Sequence, residues 1–176
     1  MKNRGFTSIE LLMTILITVI IVMIAIPNYI RAQGRSRLAT IKGNMHIIQF
    51  CVEAYAVDFD GAYPTDVNSV GQGFGFYFPG GDEDMQTVIG RFPINPYTNV
   101  PMVYADFLIY CYAGPSDNAD NTISGSNDVD LAGPGRIRYG VYSIMGAWPW
   151  TEYGIVGSGR NRLSVRSQTA IYVLHN

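Results

Sequence analysis

The sequence predicts an α+β protein in which a long N-terminal α-helix, membrane-spanning in its first half, packs on a C-terminal antiparallel β-sheet. Three observations predict this class. Residues 11–26 are apolar except for two threonines. An apolar stripe at helical spacing then continues to Phe59, and alternating strand patterns occur only after residue 100. A chain of 176 residues has room for this helix and for one further domain.

The apolar run is long enough to cross a membrane. The 21 residues from Phe6 to Ile26 would form about 32 Å of helix, and a bilayer core is roughly 30 Å thick. No small-residue cleavage site follows Ile26, where a secretory signal would need one. The sequence therefore predicts an inserted helix.

Glu10 is the one acidic residue of this apolar segment. An ionised carboxylate in lipid is costly unless an opposite charge pairs with it. Such a residue is a functional candidate by default.

The residues Gly5-Phe6-Thr7-Ser8-Ile9-Glu10, followed by the apolar run and Pro27, resemble the N-terminus of type IV pilins and type II secretion pseudopilins. The resemblance implies that a membrane aspartyl peptidase cuts after Gly5 and that the new terminal residue, Phe6, is N-methylated. It also implies that Glu10 of one subunit neutralises the amino terminus of its neighbour in a filament core. A pair within one subunit is open as well, because Phe6 and Glu10 lie four residues apart on the predicted helix.

The same resemblance implies a pilin-like organisation: 1–5 as a removed leader, 6–30 as a transmembrane and filament-core helix, 31–60 as an amphipathic helix, and 61–176 as a β-rich globular head. The chain would be a structural subunit of an extracellular filament, stored in the bacterial inner membrane and then moved to the cell surface. Its partners would be other copies, the prepilin peptidase and methylase, an assembly platform and, before assembly, the membrane. Basic residues flanking the span favour the opposite orientation, so the outward head rests on the resemblance.

Two other functions stay open. A type II secretion pseudopilus subunit would share this N-terminus, and Pro96-Tyr97-Thr98-Asn99 is similar to the major pseudopilin of that system. A membrane-anchored surface binding protein that never polymerises is the third hypothesis. Glu10 argues against it, because a simple anchor gains nothing from a buried acid.

The helix is predicted to continue beyond the membrane as an amphipathic segment. Apolar residues recur at steps of three and four, as on one helix face: Leu38, Ile41, Met45, Ile48, Val52, Tyr55 and Phe59. A coiled-coil seam has similar spacing, but the strand-rich remainder favours packing on a sheet. Pro27 lacks an N–H group and crowds the carbonyl of Met23, so a kink or a break is expected there.

Helix signals stop near Gly61, where glycine, proline, asparagine and aspartate become common. Residues 70–84 predict a long loop, and residues 93–97 predict a turn that could also frame a short edge strand. Three segments predict strands: 107–112, 137–142 and 169–174. The twelve tyrosines and Trp148-Pro149-Trp150 suit sheet core and subunit contacts better than an adhesive, sugar-binding surface.

The two cysteines could form a disulfide. Cys51 lies at the edge of the helix stripe, and Cys111 shares a strand face with Phe107 and Ile109. If that face packs on the helix the thiols meet, and disulfides persist in an exported domain. The bond would close a loop of about 60 residues and stabilise the fold by roughly 4 kcal/mol. Two buried free thiols are the alternative.

Acidic residues are concentrated in the middle of the chain. Residues 53–130 hold twelve acids and one base, whereas residues 131–176 hold five arginines and one acid. The two regions could form complementary faces between stacked subunits, and neither suggests a nucleic-acid partner. The densest patch could bind Ca²⁺, a hard cation with oxygen ligands, as major pseudopilins do in a similar loop, through Asp117, Asp120, Asp128 and Asp130. A polar surface loop is the alternative.

Catalysis finds no support in the sequence. There are two histidines, and no metalloprotease, nucleophile-elbow or phosphate-loop pattern occurs. We predict that the protein is not an enzyme and that it requires no cofactor, with structural Ca²⁺ as the one ligand to test.

Overall fold

The computed structural model describes residues 6–69, 73–82, 88–113, 131, 133–143, 149–167, 170–171 and 173–175. Within these residues the chain forms one α-helix, two 3₁₀ turns and six strands. The helix is α1 (Ser8–Asp58), and the turns are Phe74–Tyr77 and Tyr104–Asp106. The strands are β1 (Phe107–Ala113), β2 (Ile137–Ser143), β3 (Glu152–Gly157), β4 (Arg166–Ser167), β5 (Ala170–Ile171) and β6 (Val173–His175). The predicted α+β class is confirmed.

The helix α1 contributes to two compact units, which divide between Arg37 and Leu38. In the first unit, every residue from Phe6 to Ser36 is exposed. Pro27 lies inside α1 and the helix continues through it, so the predicted break is wrong. Proline removes a single bond of the helical ladder, the one to the carbonyl of Met23, and the helical residues on both sides retain theirs.

In the second unit, α1 buries the predicted apolar stripe against the sheet. Five stripe residues are at most 1% exposed: Ile41, Met45, Ile48, Val52 and Tyr55. Leu38 is partly buried at the edge of the same core. Packing on a sheet, and not a coiled-coil seam, therefore explains the spacing.

The main sheet has four strands in the order β1-β2-β3-β6, and β4 pairs with β5 in a separate two-stranded sheet. Strand β3 pairs antiparallel with both β2 and β6. Strand β1 pairs parallel with β2, with Phe107 opposite Ile137, so the sheet is mixed and not wholly antiparallel. A parallel pair needs a long crossover, and the connecting segment 114–136 is long enough to provide one.

Strand β3 is not evident from sequence periodicity because two glycines interrupt its pattern. One of them has a packing role. A Cβ atom on Gly157 would lie 2.5 Å from Ile41 Cγ2 and 2.9 Å from Met45 Sδ. Glycine therefore lets α1 approach the end of β3 closely.

The core between α1 and the sheet is largely aromatic. Phe74 packs against Tyr139 and Phe107, with ring centroids 5.2 Å and 6.3 Å away. Tyr63 packs on Tyr153 at 4.6 Å. The tyrosines thus contribute large buried rings to the core, as predicted.

Two core tyrosines differ in how their hydroxyls are satisfied. Tyr153 donates a hydrogen bond to Glu53 Oε1 at 2.5 Å and accepts one from Gln49 Nε2 at 3.2 Å. The buried hydroxyl of Tyr139 has no hydrogen-bond partner in the described part of the chain. Burial raises the pKa of both phenols, and the hydrogen bond to Glu53 raises that of Tyr153 further.

The predicted turn at residues 93–97 is built around Asn95. Its side-chain oxygen accepts from the Tyr97 N–H at 2.9 Å, and its side-chain amide donates to the Pro134 carbonyl at 3.2 Å. Ile94 forms an isolated antiparallel bridge with Pro101. One Asn side chain thereby fixes the turn and joins it to the segment before β2.

Candidate functional site

The first turn of α1 is closed by a capping box. Thr7 precedes the helix, and its N–H and hydroxyl both donate to Glu10 Oε2, at 2.9 Å and 2.6 Å. The Glu10 N–H lies 3.4 Å from the Thr7 hydroxyl oxygen. This is the reciprocal arrangement expected of Thr at the N-cap and Glu three residues later.

The capping box gives Glu10 a partner within its own subunit that the sequence analysis did not consider. A pair between Glu10 and the amine of Phe6 that cleavage would free stays a prediction. The helix begins at Ser8, so Phe6 lies outside it, and the Thr7 hydroxyl donates to the Glu10 carboxylate. Both bonds fall on Oε2, and no donor among the described residues reaches Oε1. A carboxylate has about four acceptor positions. Glu10 can therefore cap its own helix and still accept a donor from outside.

Beyond the cap, α1 presents an apolar surface on all sides. Phe6 and Ile9 are 71% and 65% exposed, and every large apolar side chain as far as Ile30 is exposed too. The hydroxyls of the two threonines bond to backbone carbonyls of the same helix. Thr14 donates to the Leu11 carbonyl at 2.8 Å, and Thr18 donates to the Thr14 carbonyl at 2.7 Å. Satisfied hydroxyls and an apolar surface suit lipid or a bundle of like helices.

By length and composition, α1 is the one described helix that could cross a membrane. The apolar part lies near its N-terminus and none of it is buried. The soluble surface of a folded domain rarely shows so large an apolar area. Such a surface is typical of a segment that lipid or other protein covers.

Two curated proteins resemble this chain. It is 30% identical over 74 residues to the ComG operon protein 3 homolog of Bacillus licheniformis, and the match covers 42% of this chain and 76% of that protein. It is 36% identical over 70 residues to the type IV major pilin protein PilA of Myxococcus xanthus, covering 40% of this chain and 31% of that protein.

The chain belongs to the type IV pilin family. The resemblance predicted from residues 5–10 is thus confirmed at family level. No protein-family model matches the chain, and no solved structure matches it. The matched segment spans less than a third of the Myxococcus pilin.

The structure describes two of the three other residues predicted for processing and assembly, Phe6 and Pro27. Gly5 lies outside the described residues, and Phe6 is the first residue that the structure describes. Pro27 lies within the exposed part of α1. The sequence analysis missed Thr7, although the Thr-x-x-Glu spacing before an apolar run is the signature that would have found it.

The sequence left a Cys51–Cys111 disulfide and two free thiols open, and in this structure both cysteines are free thiols. Cys51 is buried and its thiol donates to the Tyr77 carbonyl, whereas Cys111 is exposed and its thiol lies near the Thr65 carbonyl. Strand β1 enters the core at Phe107 but is solvent-exposed by Cys111, so the shared strand face does not bring the thiols together. Burial raises the pKa of Cys51 to about 12. Partial desolvation of the Cys111 sulfur, which lies against the Thr65 carbonyl, and then the charge of Asp66 raise the pKa of that thiol.

The four aspartates predicted to bind Ca²⁺ lie outside the described residues: Asp117, Asp120, Asp128 and Asp130. In the described part of the pilin-family chain, no cluster of His, Cys, Asp or Glu is suited to a metal. Trp148 also lies outside the described residues. Trp150 is partly buried against the aromatic core, which agrees with a packing role.

An acid of the middle region and a base of the C-terminal region form an ion pair within this chain. Arg136 Nε lies 3.6 Å from Asp106 Oδ1, and both side chains are largely covered. One pair of the predicted complementary charges is therefore used inside the subunit, while the exposed Arg160 lies on a surface loop.

Proposed function

We propose that this chain is a structural pilin of an extracellular type IV pilus-like filament, stored in the inner membrane and polymerised through its N-terminal helix. The single observation that carries the proposal is the start of α1. There, within the described residues, Glu10 binds Thr7 through Oε2 alone, at the start of a helix whose large apolar side chains are exposed as far as Ile30.

Processing creates the partner for the other carboxylate oxygen, Oε1. Cleavage between Gly5 and Phe6 by a prepilin peptidase frees an α-amino group, which is positive near neutral pH. N-methylation of Phe6 keeps this charge. When α1 helices bundle, the amine of one copy binds Glu10 Oε1 of the next while Oε2 stays with Thr7. A buried charge is tolerated when it is paired and hydrogen-bonded.

The pairing also sets the register of the filament. Apolar helix surfaces slide past one another at little cost, because lipid-like packing is non-directional. One required ion pair favours the offset at which amine and carboxylate meet. The assembly platform would add subunits from the membrane in that register.

The experiment is to shear fibres from cells that produce the protein, image them and sequence the subunit N-terminus. We expect long surface fibres whose subunit begins at N-methylated Phe6. A mature chain that begins at Met1, or cells that carry the processed protein without filaments, would contradict the proposal.

A subunit of a secretion pseudopilus is the second candidate. It is favoured by the Pro96–Asn99 motif, which follows the Asn95-centred turn described above. Deletion of the gene separates the two functions. Loss of secreted proteins with no surface fibres in the parent strain supports the pseudopilus, whereas loss of fibres with secretion intact supports the pilus.

A further inference from the structure

An apolar groove lies between α1 and the segment that contains Tyr77 and Pro79. Its volume is about 430 Å³, and it is lined by His46, Ile47, Phe50, Cys51, Tyr77 and Pro79. Phe50 is 72% exposed and Ile47 is 42% exposed. A groove with a large exposed aromatic ring on its rim is suited to receiving an apolar side chain.

An acid is bonded to one of the residues that line this groove. The Tyr77 hydroxyl donates to Asp58 Oδ2 at 2.6 Å, so the carboxylate is fixed beside a groove residue. Ile47, Cys51 and Asp58 are spaced four and seven residues apart, which places them on one side of α1. An occupant with an apolar side chain and a cation a few residues apart would match both features.

The loop between β3 and β4 carries such a pair. Arg160 and Leu163 are exposed, the latter by 44%. The loop is closed by hydrogen bonds from the Gly159 N–H to the Leu163 carbonyl at 2.8 Å and from the Arg162 N–H to the Gly159 carbonyl at 3.2 Å. A closed loop loses little conformational freedom when it binds.

The loop begins beside a part of α1 that precedes the groove of its own chain. A Cβ atom on Gly159 would lie 3.6 Å from Leu38 Cδ2, so the loop lies beside the start of the second unit's helix. The groove begins at His46, about 12 Å further along the helix at about 1.5 Å per residue. Two different patches that complement each other across copies form a heterologous contact, which repeats into an open filament when its rotation does not close a ring.

We propose that the groove receives the Arg160–Leu163 loop of a second copy of this chain, with Leu163 packed against Phe50 and Arg160 paired with Asp58. The inference rests on the proposed filament function and names a contact, within the filament, between the Leu38–Asn176 units of two copies. It uses exposed charges of opposite sign and matched apolar groups, so it contributes to subunit order as well as to affinity.

The first test places a photo-crosslinking phenylalanine analogue at Phe50 in the full chain, assembled in cells that also make a differently tagged copy. We expect a light-dependent adduct between the two tagged copies, whose linked peptide contains Leu163. The matched control has the analogue at Val103, which is 58% exposed and outside the groove. It should give no adduct with that peptide.

The second test reverses the charges. Asp58→Arg or Arg160→Asp should each lower the yield of the Phe50 adduct at least tenfold, and the double variant should recover it to within about twofold. Asp58→Asn keeps an acceptor for Tyr77 and separates loss of charge from loss of the hydrogen bond. Asp60→Asn is the control at a neighbouring exposed acid, where the backbone φ is 53° and asparagine is tolerated.

The outcomes separate this inference from the proposed function. Normal filaments with the Phe50 adduct mapped to another segment, or with no rescue by the double charge reversal, would overturn the groove contact alone. If the unmodified chain forms no filament, the proposed function fails and this inference fails with it.

Discussion

Thr7 and Glu10 hold each other at the start of α1, where the Thr7 N–H and hydroxyl both bind Glu10 Oε2. The bond gives Glu10 a role inside its own subunit. A carboxylate in the first helical turn also interacts favourably with the helix dipole. Its presence in an apolar segment is therefore explained in part without a second copy, and the assembly role has to be tested with the cap left intact.

Two core tyrosines should respond oppositely to removal of the hydroxyl. Tyr139→Phe deletes a buried hydroxyl that has no partner among the described residues, so the free energy of unfolding should stay unchanged or rise by about 1 kcal/mol. Tyr153→Phe leaves Glu53 and Gln49 without their bonds and should cost about 1–3 kcal/mol. Denaturant unfolding of the full chain in detergent measures both, and a larger loss for Tyr139→Phe would refute the packing described here.

Stability should fall at alkaline pH. Burial raises the pKa of Tyr139, Tyr153 and Tyr77 above the ordinary value of 10.0. Above pH 10 the unfolded chain releases these protons while the folded chain retains them, so stability is full below pH 10 and is lost as the pH rises further. Thermal unfolding from pH 8 to 11 should show a shallower decline for Tyr139→Phe. The exposed Tyr29→Phe is the control, and an equal change in both variants would count against buried phenols as the cause.

Replacing Gly157 with alanine should destabilise the protein, whereas replacing Gly43 with alanine should not. The Cβ of alanine at 157 would collide with Ile41 and Met45, and overpacking of this kind costs about 1–3 kcal/mol. Gly43 lies in α1 with nothing within 4 Å of the added carbon, so Gly43→Ala should stabilise the helix by about 0.5–1 kcal/mol. Thermal melts of the two variants test the close approach of α1 and β3, and equal melting temperatures would argue against it.

The two thiols should react at different rates with maleimide. Cys111 is exposed and should be labelled in the folded protein, whereas Cys51 is buried with a pKa raised to about 12 and should react only after unfolding. Mass spectrometry without reductant should find one label on the native chain and two on the unfolded chain. An unfolded chain that takes up no label would instead show that Cys51 and Cys111 are joined in a disulfide.

Periodicity alone was enough to predict the helical part of the fold. The three- and four-residue steps from Leu38 to Tyr55 are a property of one helix, and the structure buries these residues from Ile41 onward and partly buries Leu38. The sheet was less predictable because its pairing is non-local. A parallel β1–β2 pair and an antiparallel one need the same alternation within each strand, and Gly154 and Gly157 obscure β3.

The candidate site, like the fold, was predictable from the sequence only in part. A lone acid at a fixed distance from Gly5 is visible in the sequence, and it led to the family. Whether Cys51 meets Cys111 depends on how far strand β1 runs past the core, which no spacing records. The cap formed by Thr7 was predictable from Thr-x-x-Glu spacing. An acid in an apolar segment, however, also predicts a partner outside the subunit.

The most direct measurement compares filaments made by Glu10→Gln and Thr7→Val. Glutamine at this helix position retains the capping box and removes the charge, whereas Thr7→Val removes the hydroxyl and keeps the carboxylate. The account predicts that Glu10→Gln is processed and inserted in the membrane but yields few filaments in electron micrographs, and that Thr7→Val still assembles. Abundant normal filaments from Glu10→Gln would show that the charge of Glu10 is not what joins one copy to the next.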